Sequence, residues 1–196
     1  MMKFKTVLWR NKEPQNLLQP RLSGQRIALK PPRLEDFEIC RKVRSKNRFF
    51  LKPYEPKWTE DCLTKDFFIR RLERQSEESK AGRGAYFFIW ENQNIIGGIN
   101  LNNIQMGAAR HASLGYWLSQ PYQGQGYMNE AATLVIDYAF NVLKLNRLNA
   151  ACLPDNDSSI KMLLKLGFEE EGFAKKYLQI DGKWQDHRLF GLCREN

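Results

Sequence analysis

The chain has 196 residues, 42% hydrophobic and 12% aromatic, enough for one domain that buries a core without disulfide staples. It has no run of eighteen apolar residues, and its start, MMKFKTVLWRNKEPQN, lacks an apolar signal core, so no membrane contact and a cytoplasmic location are expected. The formal charge of +9 favours an acidic partner such as nucleic acid, a ribosomal particle or an anionic cofactor; a merely soluble basic surface is the alternative, since the basic residues are scattered and no nucleic-acid module is visible.

Residues 1–20 read as an irregular N-terminal segment broken by Pro14 and Pro20, and residues 21–196 as a single domain. RLSGQRIAL at 21–29 reads as a strand that stops at Pro31 and Pro32. Residues 34–47 carry apolar positions at helical spacing, including Leu34, Phe37 and Val43. FFLKPYEP at 49–56 holds two prolines and is expected as a structured aromatic loop, after which Thr59 would cap a second helix running to about Ser79. AYFFIWE at 85–91 and residues 95–104 form a hairpin around an Asn-containing turn. Gly97 and Gly98 in its second strand indicate a bulge or a close backbone neighbour. A further strand at 111–118 leads into a glycine loop and a long helix from about Met128 that buries Ala131, Val135, Ala139, Phe140 and Leu143. Residues 147–153 are strand-like, and 156–166 form a short helix closed by Gly167. Asp181 and Gly182 are the turn of a terminal hairpin. The order describes one mixed α/β domain around a single sheet. The four cysteines, Cys40, Cys62, Cys152 and Cys193, form no CxxC pair, so neither a metal site nor a disulfide framework is expected.

The loop in LGYWLSQPYQGQGYMNEAATLVIDY carries the chemistry. Gly124 and Gly126 let a ligand approach the backbone, and the helix that follows aims its first N–H groups and its positive dipole end at the loop. That is an anion cradle suited to phosphate, or else an ordinary tight turn before a core helix.

Taken with Asn156-x-x-Ser159 and LGF at 166–168 downstream, the loop QGQG at 123–126 resembles the GNAT acyl-CoA N-acyltransferases. KPYEP at 52–56 and YLQIDGKWQDH at 177–187 are similar to the RimJ/RimL-type ribosomal-protein-alanine N-acetyltransferases, more on the RimJ side. The resemblance spans residues 22–192. It implies a single GNAT-like domain of the α/β (α+β) class, with a central mixed, mostly antiparallel sheet, a splayed parallel strand pair and helices on both faces. The implied reaction is direct attack of an N-terminal alanine α-amine of a ribosomal protein on acetyl-CoA, with no metal and CoA as product. The enzyme would act as a monomer or homodimer, with ribosomal contact through its basic surface.

Acetyl-CoA would be held by Trp117, Leu118, Gln123, Gly124, Gln125, Gly126, Tyr127, Met128, Asn156 and Ser159. Ser159 would donate to the departing thiolate, and Glu55 would orient or deprotonate the amine. Phe50, Tyr54, Glu55, Asn102 and Tyr116 would face the acceptor. Each has a plainer alternative: Asn156 as a helix cap, Ser159 as an exposed first-turn serine, Glu55 as a solvated carboxylate, and Phe50, Tyr54 and Trp58 as a core edge. The chain departs from the family at Ser113, where many relatives carry a glutamate base, at Leu163, where some carry an acid tyrosine, and at Met128, where the broad superfamily has a small residue. Two other activities stay open: acetylation of a small amine, polyamine or aminoglycoside, and a CoA-binding ribosome-assembly factor without catalysis.

Overall fold

The computed structural model describes residues 20–195; the irregular segment expected at 1–20 lies outside them except for Pro20. Residues 21–29 are not one strand. Two short antiparallel strands, β1 (Leu22–Ser23) and β2 (Ala28–Lys30), are joined by a turn in which Gly24 N–H donates to Ile27 O at 2.8 Å. The turn is pinned from afar: Glu130 Oε1 accepts from the N–H groups of Gln25 (2.7 Å) and Arg26 (2.9 Å).

Helix α1 (Phe37–Lys46) follows as the apolar spacing indicates. Residues 49–56 are not a loop throughout. They contain α2 (Arg48–Leu51) and a 3-10 turn, Lys52–Tyr54, in which Pro53 falls in the first turn, where no N–H is needed. Thr59 does not cap the next helix, because that helix starts only at Lys65; the Thr59 hydroxyl donates to Asp61 Oδ1 at 2.7 Å. Thr64 caps α3 (Lys65–Lys80) instead, accepting from Phe67 N–H.

The hairpin β3 (Ala85–Glu91) and β4 (Asn94–Gln105) has both features that Gly97 and Gly98 indicate. The register shifts between Ile89 and Trp90, and a Cβ on Gly97 would lie 2.5 Å from the Trp117 carbonyl oxygen. Strand β5 (His111–Leu118) leads through the glycine loop into α4 (Tyr127–Asp137). Then come β6 (Arg147–Cys152), α5 (Asp157–Lys165) and a hairpin longer than the sequence suggests, β7 (Glu169–Ile180) with β8 (Lys183–Cys193). Its turn residues Asp181 and Gly182 have φ of 45° and 81°, as a two-residue turn matched to strand twist requires.

Among the described residues eight strands form one sheet in the order β1-β2-β3-β4-β5-β6-β8-β7, and of these only β5 and β6 run parallel. One face packs on α4 and α5 through Leu101, Leu114, Ala131, Val135, Tyr138, Ala139 and Leu163. Phe140 and Leu143, expected to be buried there, are only partly so. The other face packs on α1 and α3 through Cys40, Phe68, Phe88, Trp90 and Ile95. Each large apolar side chain so buried contributes about 1.5–3 kcal/mol relative to exposure. No helix among the described residues is long and apolar enough to cross a membrane.

Candidate active site

The sheet opens at its one parallel pair. His111, Ala112 and Ser113 pair with Arg147, Leu148 and Asn149, and beyond them β5 and β6 part. A chain of side chains secures the closed end. Arg147, ion-paired to Glu171, donates from Nε to Asn149 Oδ1 at 2.6 Å, so Asn149 Nδ2 donates to His111 Nδ1 at 2.9 Å and His111 Nε2–H reaches Gln105 Oε1 at 3.2 Å. His111 is therefore structural and fixed in one tautomer. Along the open part, alternate residues of β5 turn their backbone groups to opposite sides. Ser119 N–H goes to Ile96 O, so Leu118 and Tyr116 turn theirs to the gap. Leu118 O accepts from Gln123 Nε2 at 3.2 Å.

The glycine loop stands at the mouth of this gap. Gly124 and Gly126 have φ of 72° and 81°, the left-handed region that disfavours side chains. Among the described residues, the backbone N–H groups of 124–129 donate to no acceptor within the chain. Free donors at a helix start bind anions, and Lys161 and Lys165, four apart on α5, line the same cavity. Asn129 also lines the cavity, but its Oδ1 is an acceptor and so no ligand for a phosphate; it is buried without a partner among the described residues. Arg26 braces the loop from outside: it donates to Gln125 O at 2.9 Å, pairs with Glu130 and covers the Tyr127 ring at 4.4 Å. These groups fit the diphosphate of an acyl-CoA.

At the inner end, Asn156 caps α5 by accepting from Ser159 N–H at 3.2 Å. Ser159 is buried, and its Oγ is hydrogen-bonded to the Tyr116 hydroxyl. Burial raises the Tyr116 phenol above its ordinary range, the bond to Ser159 opposing, and burial also pushes the Cys152 thiol up to about 11.

The opposite wall comes from α1 and the segment after it. Glu55 is gripped by Arg44 through two bonds of 2.6 Å and by Trp58 Nε1 at 2.8 Å. The Arg44 guanidinium lies over the rings of Trp58 (4.4 Å) and Trp117 (5.0 Å). Asp181 N–H donates to Glu55 O at 2.9 Å, tying this wall to the tip of the terminal hairpin.

One cavity of about 480 Å³ joins the two walls. It is lined by Phe50, Tyr54, Glu55, Tyr116, Trp117, Leu118, Gln123, Gly124, Gly126, Tyr127, Met128, Asn156 and Ser159, all singled out from sequence. Gln125 does not line it, its amide being spent on Pro121 O at 2.7 Å. Asn102 is not brought there either; it sits opposite Ser113, at the closed end, beside Gly115. Sequence reasoning missed Arg26, Arg44, Asn129, Lys161 and Lys165, and only the four-residue spacing of the two lysines offered a signal. A larger hollow of about 650 Å³ lies under the hairpin tip between Asp155, Asp181 and Trp184, but it includes neither the loop nor Ser159.

Residues 26–169 match the acetyltransferase (GNAT) domain family. The chain is 36% identical over 179 residues to the [ribosomal protein uS5]-alanine N-acetyltransferase of Escherichia coli (strain K12), a match covering 90% of this chain and 92% of that protein. The ribosomal-protein-S5-alanine acetyltransferase from Vibrio fischeri superposes with a TM-score of 0.84 at 32% identity, over 90% of this chain and 98% of that one. Mycobacterium smegmatis RimJ in complex with CoA-disulfide gives a TM-score of 0.83 at 28% identity, over 89% and 86%.

Proposed function

The chain belongs to the GNAT acetyltransferases, and we propose that it acetylates the N-terminal alanine α-amine of a ribosomal protein. The observation that carries this reading is the continuity of the cavity, with free backbone donors at one end, an unpaired strand edge along it and the Ser159 hydroxyl at the other.

Acetyl-CoA, when bound, supplies an acetyl group activated as a thioester. The loop amides, with Lys161 and Lys165, would hold its diphosphate. The gap-facing backbone of Tyr116 and the Leu118 N–H would take the pantetheine arm as an added strand, with the Trp117 and Asn156 side chains lining the same cavity. Ser159 keeps a hydroxyl where the thiolate departs, and a backbone N–H of β5 can donate to the carbonyl oxygen. The acceptor amine has a pKa of about 8, so roughly a tenth of it is neutral at pH 7 and no strong base is needed. Glu55, with three hydrogen bonds to its carboxylate, serves better to orient the wall than to take a proton.

Identity to an alanine N-acetyltransferase over nine-tenths of the chain supports a ribosomal-protein acceptor. So does the scarcity of negative charge: among the described residues Glu55 is the only carboxylate lining the cavity, and Arg44 already neutralises it, which is poor provision for a polyamine or an aminoglycoside. The charge of +9 suits approach to an rRNA-rich particle in the cytoplasm. The test is mass spectrometry of ribosomal-protein N-termini in cells with and without the gene, paired with assays on spermidine and on alanine-starting peptides. An N-terminal acetyl group that disappears with the gene is expected. Acetylated spermidine beside unchanged N-termini would overturn the assignment.

A further inference from the structure

The contact between Tyr116 and Ser159 joins two hydroxyl groups that carry two hydrogens and share one bond. Tyr116 stands on β5 opposite Ile99, on the stretch that has parted from β6, and its ring packs against the main core. Ser159 comes from the first turn of α5, where the bond from its N–H to Asn156 Oδ1 fixes the main chain. Among the described residues neither hydroxyl has another partner within the chain, and both residues line the cavity.

Which hydroxyl donates follows from acidity. A phenol ionises near pH 10, far more readily than an aliphatic alcohol, so it is the better donor and the alcohol oxygen the better acceptor. Burial raises the Tyr116 phenol further, so it retains its proton throughout the neutral range. With the phenol donating, Ser159 Oγ is occupied as an acceptor and its own hydrogen has no acceptor among the described residues.

We propose that Tyr116 is a positioning residue for acetyl transfer: its phenol donates to Ser159 Oγ and so aims the Ser159 hydrogen into the cavity, at the sulfur that leaves. This rests on the role given to Ser159 under the proposed function. In the step itself the amine lone pair forms the new C–N bond, the C–S bond breaks and its electron pair goes to sulfur. The surplus amine proton goes to water, and Ser159 keeps its hydrogen. A thiol pKa of about 8.5 means the thiolate needs a hydrogen bond rather than full protonation. Polarised by the phenol, the Ser159 hydroxyl is a better donor than it would be alone.

The experiment titrates the thiol of bound CoA by its ultraviolet thiolate absorbance, with no turnover involved, in the wild type, Tyr116→Phe, Ser159→Ala and the double variant. A donor at the sulfur lowers the bound thiol's pKa below that of free CoA. Tyr116→Phe should lose most of that lowering, and the double variant should match Ser159→Ala, because the phenol acts only through the serine. In parallel, kcat should fall about 10-fold in Tyr116→Phe and about 100-fold in Ser159→Ala, the scale set by loss of one donor in a site of this kind, with acetyl-CoA affinity unchanged. Wild-type titration and kcat in Tyr116→Phe would overturn the proposal and leave the serine's role standing, as would losses in the double variant that multiply. A Tyr116→Phe effect larger than that of Ser159→Ala would reverse the direction of the bond and also overturn it. Wild-type behaviour of Ser159→Ala would remove the role of Ser159 itself, a result distinct from the others.

Discussion

One wall of the cavity is built of main chain and the other of side chains. The loop wall offers N–H groups of residues 124–129, which any sequence would supply so long as the glycines let the backbone turn. The opposite wall depends on Arg44, Glu55, Trp58 and Trp117, each held by the identity of the next. The first should therefore be sensitive at very few positions, and the second at each of its members. The walls should also govern different quantities, the loop wall acetyl-CoA affinity and the side-chain wall acceptor turnover.

The largest expected effect is on the side-chain wall. Arg44 and Glu55 are only 15% and 17% exposed, so Arg44→Ala strands a carboxylate in a poorly hydrated place. Removing one partner of such a pair costs about 3 kcal/mol, and at this chain length the thermal midpoint should fall by about 10 °C. Acceptor turnover should collapse while calorimetry still finds near-normal acetyl-CoA binding. Next comes Gly126→Ala on the loop wall. A Cβ at φ of 81° costs about 1–2 kcal/mol and would lie 3.4 Å from Arg26 Nη2. Acetyl-CoA affinity should weaken about 10-fold, the equivalent of 1.4 kcal/mol, with the acceptor KM unmoved. If either variant shifts the other's constant instead, the walls do not work separately.

The smallest effect concerns Glu170, which bonds to Arg188 on β8, a residue paired with Cys152 of β6. The bond from Arg188 holds the Glu170 carboxyl below its ordinary range. Its contribution to stability is therefore present above the unfolded pKa of about 4.3 and lost as pH falls through the lower folded value. Glu170→Gln should lower the melting temperature slightly at pH 7 and not at pH 2, with both substrate constants unchanged. That would place the pair outside both walls.

The loop wall was legible in the sequence because its parts are local. Two glycines before a helix, and an asparagine three residues ahead of a serine at another helix start, are patterns of short spacing. What escaped depends on distant partners. Arg26 reads as one basic residue among many until the fold sets it against Gln125, 99 positions away. Residues 21–29 look like one strand because nothing nearby shows that Glu130 will hold a turn at Gln25 and Arg26. Thr59 reads as the cap from its local sequence, but the chain turns through 59–64 first, and it is Thr64 whose hydroxyl meets Phe67 N–H. Asn102 looks suited to the acceptor on its strand, but the register sets it opposite Ser113, where β5 and β6 are still joined.

The hydrogen bond from Asp181 N–H to Glu55 O bears on the order in which the protein is made. Strand β6 stays unpaired on one side until residues 188–193 arrive to form β8. A chain emerging from the ribosome can pair β3, β4 and β5 early, because each of these strands lies next to the one before it in sequence. The acceptor side is fastened only when the last hairpin folds back over the KPYEP turn, a closure of high contact order. The hairpin of β7 and β8 thus acts as a latch on the wall around Glu55.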